Sequence, residues 1–200
     1  MSAPTLTFAA PPTLAFRLGP RTVAAAPASM FVVGGALLTA AAAQLTIRVP
    51  WTPVPITGQT FAVLLVAASL GMRLGVASQG LYVVLGAVGL PFYAGAEGGW
   101  TAATGSTAGY LVGFVLAAAI VGRLAERGQD RSLLTSLPAL AFGSAVIYAC
   151  GAAWLAHSLD VSAERAIELG VTPFLIGDAL KIAVVGVGLP VAWRLVGYRA

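Results

Sequence analysis

Residues 98–122 read GGWTAATGSTAGYLVGFVLAAAIVG and contain no Asp, Glu, Lys or Arg. A helix of about 20 apolar residues crosses the hydrocarbon core of a bilayer, so this stretch is long enough to span a membrane. Four other uncharged runs are also long enough, and they cover residues 22–47, 49–72, 74–96 and 132–159. A sixth stretch, residues 169–193, has the same length but contains Asp178 and Lys181. The sequence therefore predicts six membrane crossings.

The composition of the 200-residue chain agrees with this interpretation. Hydrophobic residues make up 58% and charged residues 9%, with a mean hydropathy of +0.91. This leaves too few polar side chains to cover a water-soluble globule. The period-two alternation of an outer-membrane barrel is absent, which favours an all-α, polytopic bundle of six transmembrane helices. The predicted helices cover residues 29–47, 57–72, 74–91, 107–124, 137–157 and 173–196.

The charged residues predict how the chain is organised and oriented. Residues 1–28 contain five Pro and two Arg without the apolar segment of a signal peptide, and we interpret them as a flexible cytoplasmic tail before a membrane domain of residues 29–200. With both termini in the cytoplasm, only Arg48 and Arg165 of the ten arginines lie outside, as the positive-inside rule requires. The arginines form no basic face interleaved with aromatic residues, so the net charge of +4 does not indicate a nucleic-acid partner.

Asp178 and Lys181 are the charged pair inside the sixth predicted helix. Residues three apart lie on the same face of a helix, so the two side chains are neighbours. An ionised group within a bilayer costs several kcal/mol, roughly 3 or more, so this face must point to a partner or a polar cavity. A structural ion pair is one interpretation, and a ligand site that opens to the outer side is the other.

Two further segments carry candidate binding residues. The third predicted helix presents Gln79, Tyr82 and Tyr93 on one stripe with two glycines, which indicates either a ligand-binding face or a packing seam. The outer loop between the first and second predicted helices, residues 48–59, reads RVPWTPVPITGQ and is stiffened by three prolines. Trp51 in this loop either rests at the membrane interface or covers a cavity. Thr57 either caps the next helix or joins Gln59 and Thr60 in binding a ligand.

Small residues recur at every fourth position in two of the predicted helices. Gly105, Gly109 and Gly113 follow this spacing in the fourth helix, and Ala36 and Ala40 follow it in the first. Such ridges allow close helix contact, either within the chain or with another membrane subunit.

Several kinds of site lack the residues that they require. The chain has one His and one Cys, too few for a zinc site, a His-based triad or a disulfide. It also lacks the phosphate-binding loop of ATPases, so we do not expect it to hydrolyse ATP. The sequence predicts neither an enzyme nor a bound metal or cofactor.

Four motifs together resemble the BioY family. They are PVPITGQTFAVLL at residues 53–65, GAVGLPF at 86–92, GSTAGYLVGF at 105–114 and PFLIGDALK at 173–181. They occur in the family's order, and the resemblance extends over about residues 30–195. Residues 106–110, STAGY, depart from the PTGGY that is more common in the family, and the proline-rich tail is an extension.

The resemblance implies a biotin-binding S component of an energy-coupling factor (ECF) transporter, with six helices in the inner (plasma) membrane. Such a protein captures biotin from the outer side and works with a transmembrane coupling subunit and two cytoplasmic ATPase subunits. Ala36 and Ala40 match the family's Ala-x-x-x-Ala contact for the coupling subunit. An S component for another vitamin and a stand-alone membrane carrier are the alternatives.

The resemblance also suggests roles for the candidate binding residues. Biotin offers a ureido group, an apolar bicycle and a carboxylate. We expect Asp178 to accept a hydrogen bond from a ureido N–H and Lys181 to donate to a ligand oxygen. The residues expected to complete the polar end are Gln79 and either Thr57 or Gln59. The residues expected to enclose the bicycle are Trp51, Tyr82 and Tyr93.

Overall fold

The computed structural model describes residues 13–15 and 27–197. Its elements, in chain order, are α1 (Ala28–Ala43), β1 (Thr46–Ile47), β2 (Ile56–Thr57), α2 (Gln59–Ala87), α3 (Trp100–Ala103), α4 (Ala108–Glu126), α5 (Leu133–Leu159), α6 (Ala163–Gly170) and α7 (Leu175–Leu195). Two 3-10 turns, Ala94–Ala96 and Thr172–Phe174, lie in the connections. The described part of the chain is thus predominantly helical, as the sequence predicts.

Helix α2 is a hairpin of two helical halves. Its backbone leaves the helical region at Gly71, where φ is 80° and ψ is 179°. A straight helix would separate Gln59 from Tyr82 by about 34 Å, given a rise of 1.5 Å per residue. Their side chains are instead hydrogen-bonded across 2.6 Å. The chain therefore reverses direction at one glycine, because this backbone conformation is essentially restricted to residues without a Cβ.

Within the described residues, and with α2 counted as two segments, six helical segments longer than ten residues form the bundle. Sequence patterning places their middles correctly and misses some of their ends. Helix α1 ends at Ala43 rather than at residue 47, because Thr46 and Ile47 pair with β2 in a short antiparallel ribbon. The reversal predicted near Arg73 falls at Gly71. The two short helices α3 and α6 are not predicted, and Ser162 caps α6 by accepting the Arg165 N–H.

The bundle has two distinct ends and an apolar outer surface. We call the end formed by residues 44–58, 88–107 and 160–174 the loop end, and the end containing Gly71 and residues 127–132 the turn end. Leu134, Ile176 and Leu195 are among the large apolar side chains exposed around the bundle. By length and composition, four stretches of the described residues are long and apolar enough to cross a membrane: the hairpin α2, α4, α5, and Ala163–Leu195, which includes α6 and α7.

The close contact between α4 and α5 depends on glycines. A Cβ on Gly109 would lie 2.3 Å from the Cys150 carbonyl oxygen, and one on Gly113 would lie 2.9 Å from the Ile147 Cα. Neither position has room for a methyl group, so the glycine ridge of α4 packs inside the chain.

Part of the predicted N-terminal tail is packed against the bundle. Thr13 and Leu14 are buried at the turn end, where Leu14 joins a core cluster with Leu189 and Trp193. Helix α1 begins at Ala28, next to the predicted domain boundary. Residues 1–12 and 16–26 of the predicted tail lie outside the described residues, so its flexibility stays a prediction.

Candidate functional site

A cavity of about 720 Å³ lies at the loop end. Its wall combines the proline-rich loop, the first turn of α2, the segment before α4, and the facing sides of α4, α5 and α7. Its side chains range from the exposed Arg48 and Glu97 to Asp178, which is only 3% exposed. Ligand pockets typically have volumes of about 300–1,000 Å³, so this cavity is large enough for a small molecule.

Asp178 and Lys181 on α7 line this cavity. They form an ion pair, and each also makes hydrogen bonds to other residues. Lys181 Nζ donates to Asp178 Oδ1 at 2.5 Å and to the Thr57 carbonyl oxygen at 2.8 Å. Asp178 also accepts hydrogen bonds from Thr60 at 2.9 Å and from the Tyr148 hydroxyl at 2.6 Å. The pair therefore belongs to a hydrogen-bond network that joins α2, α5 and α7 at the cavity wall.

Thr57 and Gln59 form a second polar part of the wall, where α2 begins. The Thr57 hydroxyl donates to Gln59 Oε1 at 2.8 Å, and Gln59 Nε2 donates to the Tyr82 hydroxyl at 2.6 Å. An amide group has two N–H donors. The bond to Tyr82 uses one of them and fixes the side chain, which leaves the other for a ligand.

Aromatic side chains form much of the remaining wall. They are Tyr93, Tyr110, Phe114, Tyr148 and Phe174. The Tyr93 hydroxyl donates to the Val83 carbonyl oxygen, and the Tyr110 hydroxyl donates to that of Gly170. Burial raises the pKa of the Tyr93 hydroxyl, which keeps it neutral. An apolar ring system can pack against such a wall.

Five of the eight predicted binding residues line the cavity: Thr57, Gln59, Tyr93, Asp178 and Lys181. Trp51 lies outside it and is 65% exposed, because the proline-rich loop directs this ring away from the bundle. Tyr82 is fully buried behind Gln59. Gln79 is also fully buried, and it donates to the Thr39 hydroxyl on α1. Gln79 thus contacts α1, and Tyr82 contacts the first half of α2, rather than the cavity.

The small-residue ridge on α1 faces the interior of the chain. Ala36 is 1% exposed and Ala40 is 7% exposed, and both belong to the hydrophobic core. A partner could contact these two side chains only after α1 had moved away from α2. Packing within the chain accounts for the ridge, and a contact with a coupling subunit stays a prediction that this geometry does not favour.

Several residues in the cavity wall were not predicted as binding residues. Tyr148 is a hydrogen-bonding aromatic in the middle of an apolar run, which is the one sequence signal that could have identified it. The sequence predicts a role for Thr60 only together with Thr57 and Gln59 at the start of the second predicted helix, and its contact with Asp178, 118 residues away, was not predicted. Within the described residues, no group of three His, Cys, Asp or Glu side chains could hold a metal ion.

Comparison with known proteins adds to this geometry. The chain is 41% identical over 146 residues to the probable biotin transporter BioY of Pyrococcus horikoshii. This alignment covers 73% of this chain and 83% of the relative. The chain is also 39% identical over 138 residues to the biotin transporter BioY of Thermotoga maritima, covering 69% and 80%.

A solved structure shares the fold. The crystal structure of the S component for biotin from an ECF-type ABC transporter matches with a TM-score of 0.75 at 22% identity, covering 86% of this chain and 92% of that one. Residues 17–198 match the BioY family. With this match over most of its length and these relatives, the chain belongs to the BioY family.

Proposed function

We propose that this chain is a biotin-binding S component of an ECF-type transporter in the plasma membrane. The proposal rests on the hydrogen-bond network around Asp178, which lies in the wall of the 720 Å³ cavity of this BioY family member. A carboxylate has about four acceptor positions on its two oxygens. Three are used by Thr60, Tyr148 and Lys181, and one on Oδ2 remains for a ureido N–H.

The rest of the cavity wall complements the other parts of biotin. The second N–H of Gln59 can donate to the ureido carbonyl oxygen, because Tyr82 and Thr57 fix the amide. The apolar bicycle fits among Tyr93, Tyr110 and Phe174. Trp51 and Gln79 have no direct part in this arrangement, and Tyr82 acts through Gln59.

The proposed orientation places the loop end outside the cell and both termini in the cytoplasm. The turn end carries five described arginines: Arg73, Arg123, Arg127, Arg131 and Arg194. The loop end carries Arg48 and Arg165, so the arginine bias supports this orientation. The apolar outer surface contacts lipid. As an S component of this type, the chain would depend for transport on a coupling subunit and two ATPase subunits, and the likeness to a biotin S component of an ECF-type ABC transporter supports this.

Binding of labelled biotin to the purified chain tests this function. We expect saturable binding that unlabelled biotin competes away and that riboflavin and thiamine do not. Loss of a hydrogen bond to a charged group costs about 1.5–3 kcal/mol, or roughly 10- to 100-fold in affinity. We therefore expect Asp178→Asn, which alters the acceptor of the ureido N–H, to weaken binding by such factors. Lys181→Ala should also weaken binding, because Asp178 then loses the bond to the ammonium group that orients its carboxylate.

Glu168→Gln is a matched control for these variants. Glu168 and Arg165 also form an ion pair three residues apart on a helix, but both are exposed on α6, away from the cavity. This variant should bind biotin like the wild type. Unchanged affinity in both Asp178→Asn and Lys181→Ala would assign that pair a structural role. Competition by riboflavin or thiamine would mean that the chain is an S component for a vitamin other than biotin.

A further inference from the structure

Arg48 lies at the mouth of the cavity, directly after β1. Its Nη2 group donates to Glu97 Oε1 at 2.6 Å, and Glu97 lies in the segment between α2 and α3. Both side chains line the cavity, and both are more than half exposed. The pair therefore connects two of the loops that form the cavity wall.

Hydrogen bonds of the Gln44 side chain hold the turn next to this pair in place. Gln44, at the end of α1, donates to the Tyr93 carbonyl oxygen at 3.2 Å and accepts the Ala96 N–H at 2.9 Å. These bonds fix the turn that precedes Glu97. A Cβ on Gly95 would lie 3.0 Å from Arg48 Nη2, so the glycine leaves space for the guanidinium group.

Among the described residues, the cavity wall contains two cationic side chains, Arg48 and Lys181, and they differ in how many hydrogen-bond donors remain unused. The ammonium group of Lys181 has three N–H donors, and it has three acceptors in Thr57, Thr60 and Asp178. Arg48 has five N–H donors, and its bond to Glu97 uses one of them. A carboxylate that enters the cavity therefore finds unused donors on Arg48 rather than on Lys181.

We infer that Arg48 binds the carboxylate of the ligand at the cavity mouth and that Glu97 holds the guanidinium there before the ligand arrives. This inference rests on the proposed function, because it assigns the acidic end of biotin to one residue. Exposed ion pairs contribute little to stability, since water and salt screen them. A guanidinium can bind a second carboxylate in a bidentate manner, so the ligand can share Arg48 with Glu97 or replace it.

Binding of biotin and of biotinamide, which lacks the negative charge, tests this inference. We expect Arg48→Ala to weaken biotin binding about tenfold, as for the loss of one charge-assisted hydrogen bond. The same variant should bind biotinamide within about twofold of the wild type, because no charge pair is lost. Arg165→Ala is the control, since it removes the other exposed arginine of the loop end, and neither affinity should change.

Glu97→Gln separates recognition of the ligand from a structural role of the pair. It should bind biotin at least as tightly as the wild type, because the amide oxygen of Gln still accepts the bond that holds Arg48 in place while the competing negative charge is removed. The inference is overturned if Arg48→Ala weakens both ligands equally or neither, or if Glu97→Gln loses as much biotin affinity as Arg48→Ala. Thermal unfolding of each variant verifies that it is folded. Failure of the wild type to bind biotin would refute the proposed function instead.

Discussion

The hydroxyl group of Tyr148 on α5 donates to Oδ2 of Asp178 on α7 across 2.6 Å. Thr60 on α2 bonds the other carboxylate oxygen. The carboxylate is thus oriented from two neighbouring helices before any ligand is present. Because these donors fix its direction, their removal should weaken ligand binding even though the charge remains.

Tyr148→Phe should weaken biotin binding measurably, because Asp178 loses one of the hydrogen bonds that orient its carboxylate toward the ligand. Tyr110→Phe is the matched control, since that hydroxyl bonds the Gly170 carbonyl oxygen instead. Isothermal titration with biotin measures both variants. Equal losses in the two would mean that the hydroxyl groups act through general packing and not through Asp178.

Gly71→Ala should destabilise the fold by about 1–3 kcal/mol, because a Cβ is strained at a φ of 80° and ψ of 179°. The added carbon would also lie 2.9 Å from Glu126 Oε1. Gly80→Ala, in the second half of α2, meets no atom within 4 Å and should be neutral or stabilising. Thermal unfolding in detergent compares them, and an unaffected Gly71→Ala would contradict the hairpin geometry.

Gly109→Ala should lower the unfolding temperature, since overpacking typically costs about 1–3 kcal/mol. The new methyl group would meet the backbone of Cys150, which cannot move aside without displacing α5. Gly188→Ala on α7 has open space and serves as the control. If the two variants unfold at the same temperature, the α4–α5 contact is looser than the structure indicates.

Ala36→Leu should lower stability and biotin affinity together, because the side chain is buried between α1 and α2. Ala41→Leu makes the same change at an exposed position of the same helix and should alter neither. Unfolding, binding and uptake are measured in parallel. A loss of uptake alone in Ala36→Leu would favour the coupling-subunit contact that the resemblance implies.

The burial of Asp130 at the turn end leads us to expect that the stability of the fold depends on pH. Burial raises its pKa above the usual 3.8, and its Oδ2 accepts the Trp193 Nε1–H at 2.6 Å. A raised folded-state pKa contributes stability that is complete below the unfolded value and is lost as pH rises through the folded value. Asp130→Asn has no charge and keeps an oxygen acceptor for Trp193. It should unfold at a higher temperature than the wild type at pH 7.

That difference should shrink as the pH falls toward the ordinary range of an aspartate, which thermal unfolding at several pH values measures. Taking the difference between variant and wild type removes the titration of the other groups. A constant difference across the pH range would mean that Asp130 is not destabilised by its burial.

The positions of the helices were predictable because the apolar runs have the length of a bilayer crossing. That Asp178 and Lys181 face a partner or a polar cavity was predictable because a charge within such a run requires one. The network around them was not predictable from one sequence. Thr60 and Tyr148 meet Asp178 across separations of 118 and 30 residues, and no local pattern encodes these contacts. Trp51 and Gln79 show the converse: polar or aromatic character near the cavity does not determine which way a side chain points.

The reversal at Gly71 also bears on the order in which the cavity is assembled. Gln59 and Tyr82 lie 23 residues apart in one hairpin, so their bond can form once that hairpin has been inserted into the bilayer. The bond between Thr60 and Asp178 can form only after the end of the chain, which contains Asp178, has been synthesised. Contacts between residues far apart in sequence form more slowly than local ones. A nascent chain halted before α7 would thus contain the part of the cavity wall formed by Gln59 and Tyr82, whereas Asp178 and Lys181 would not yet have been translated.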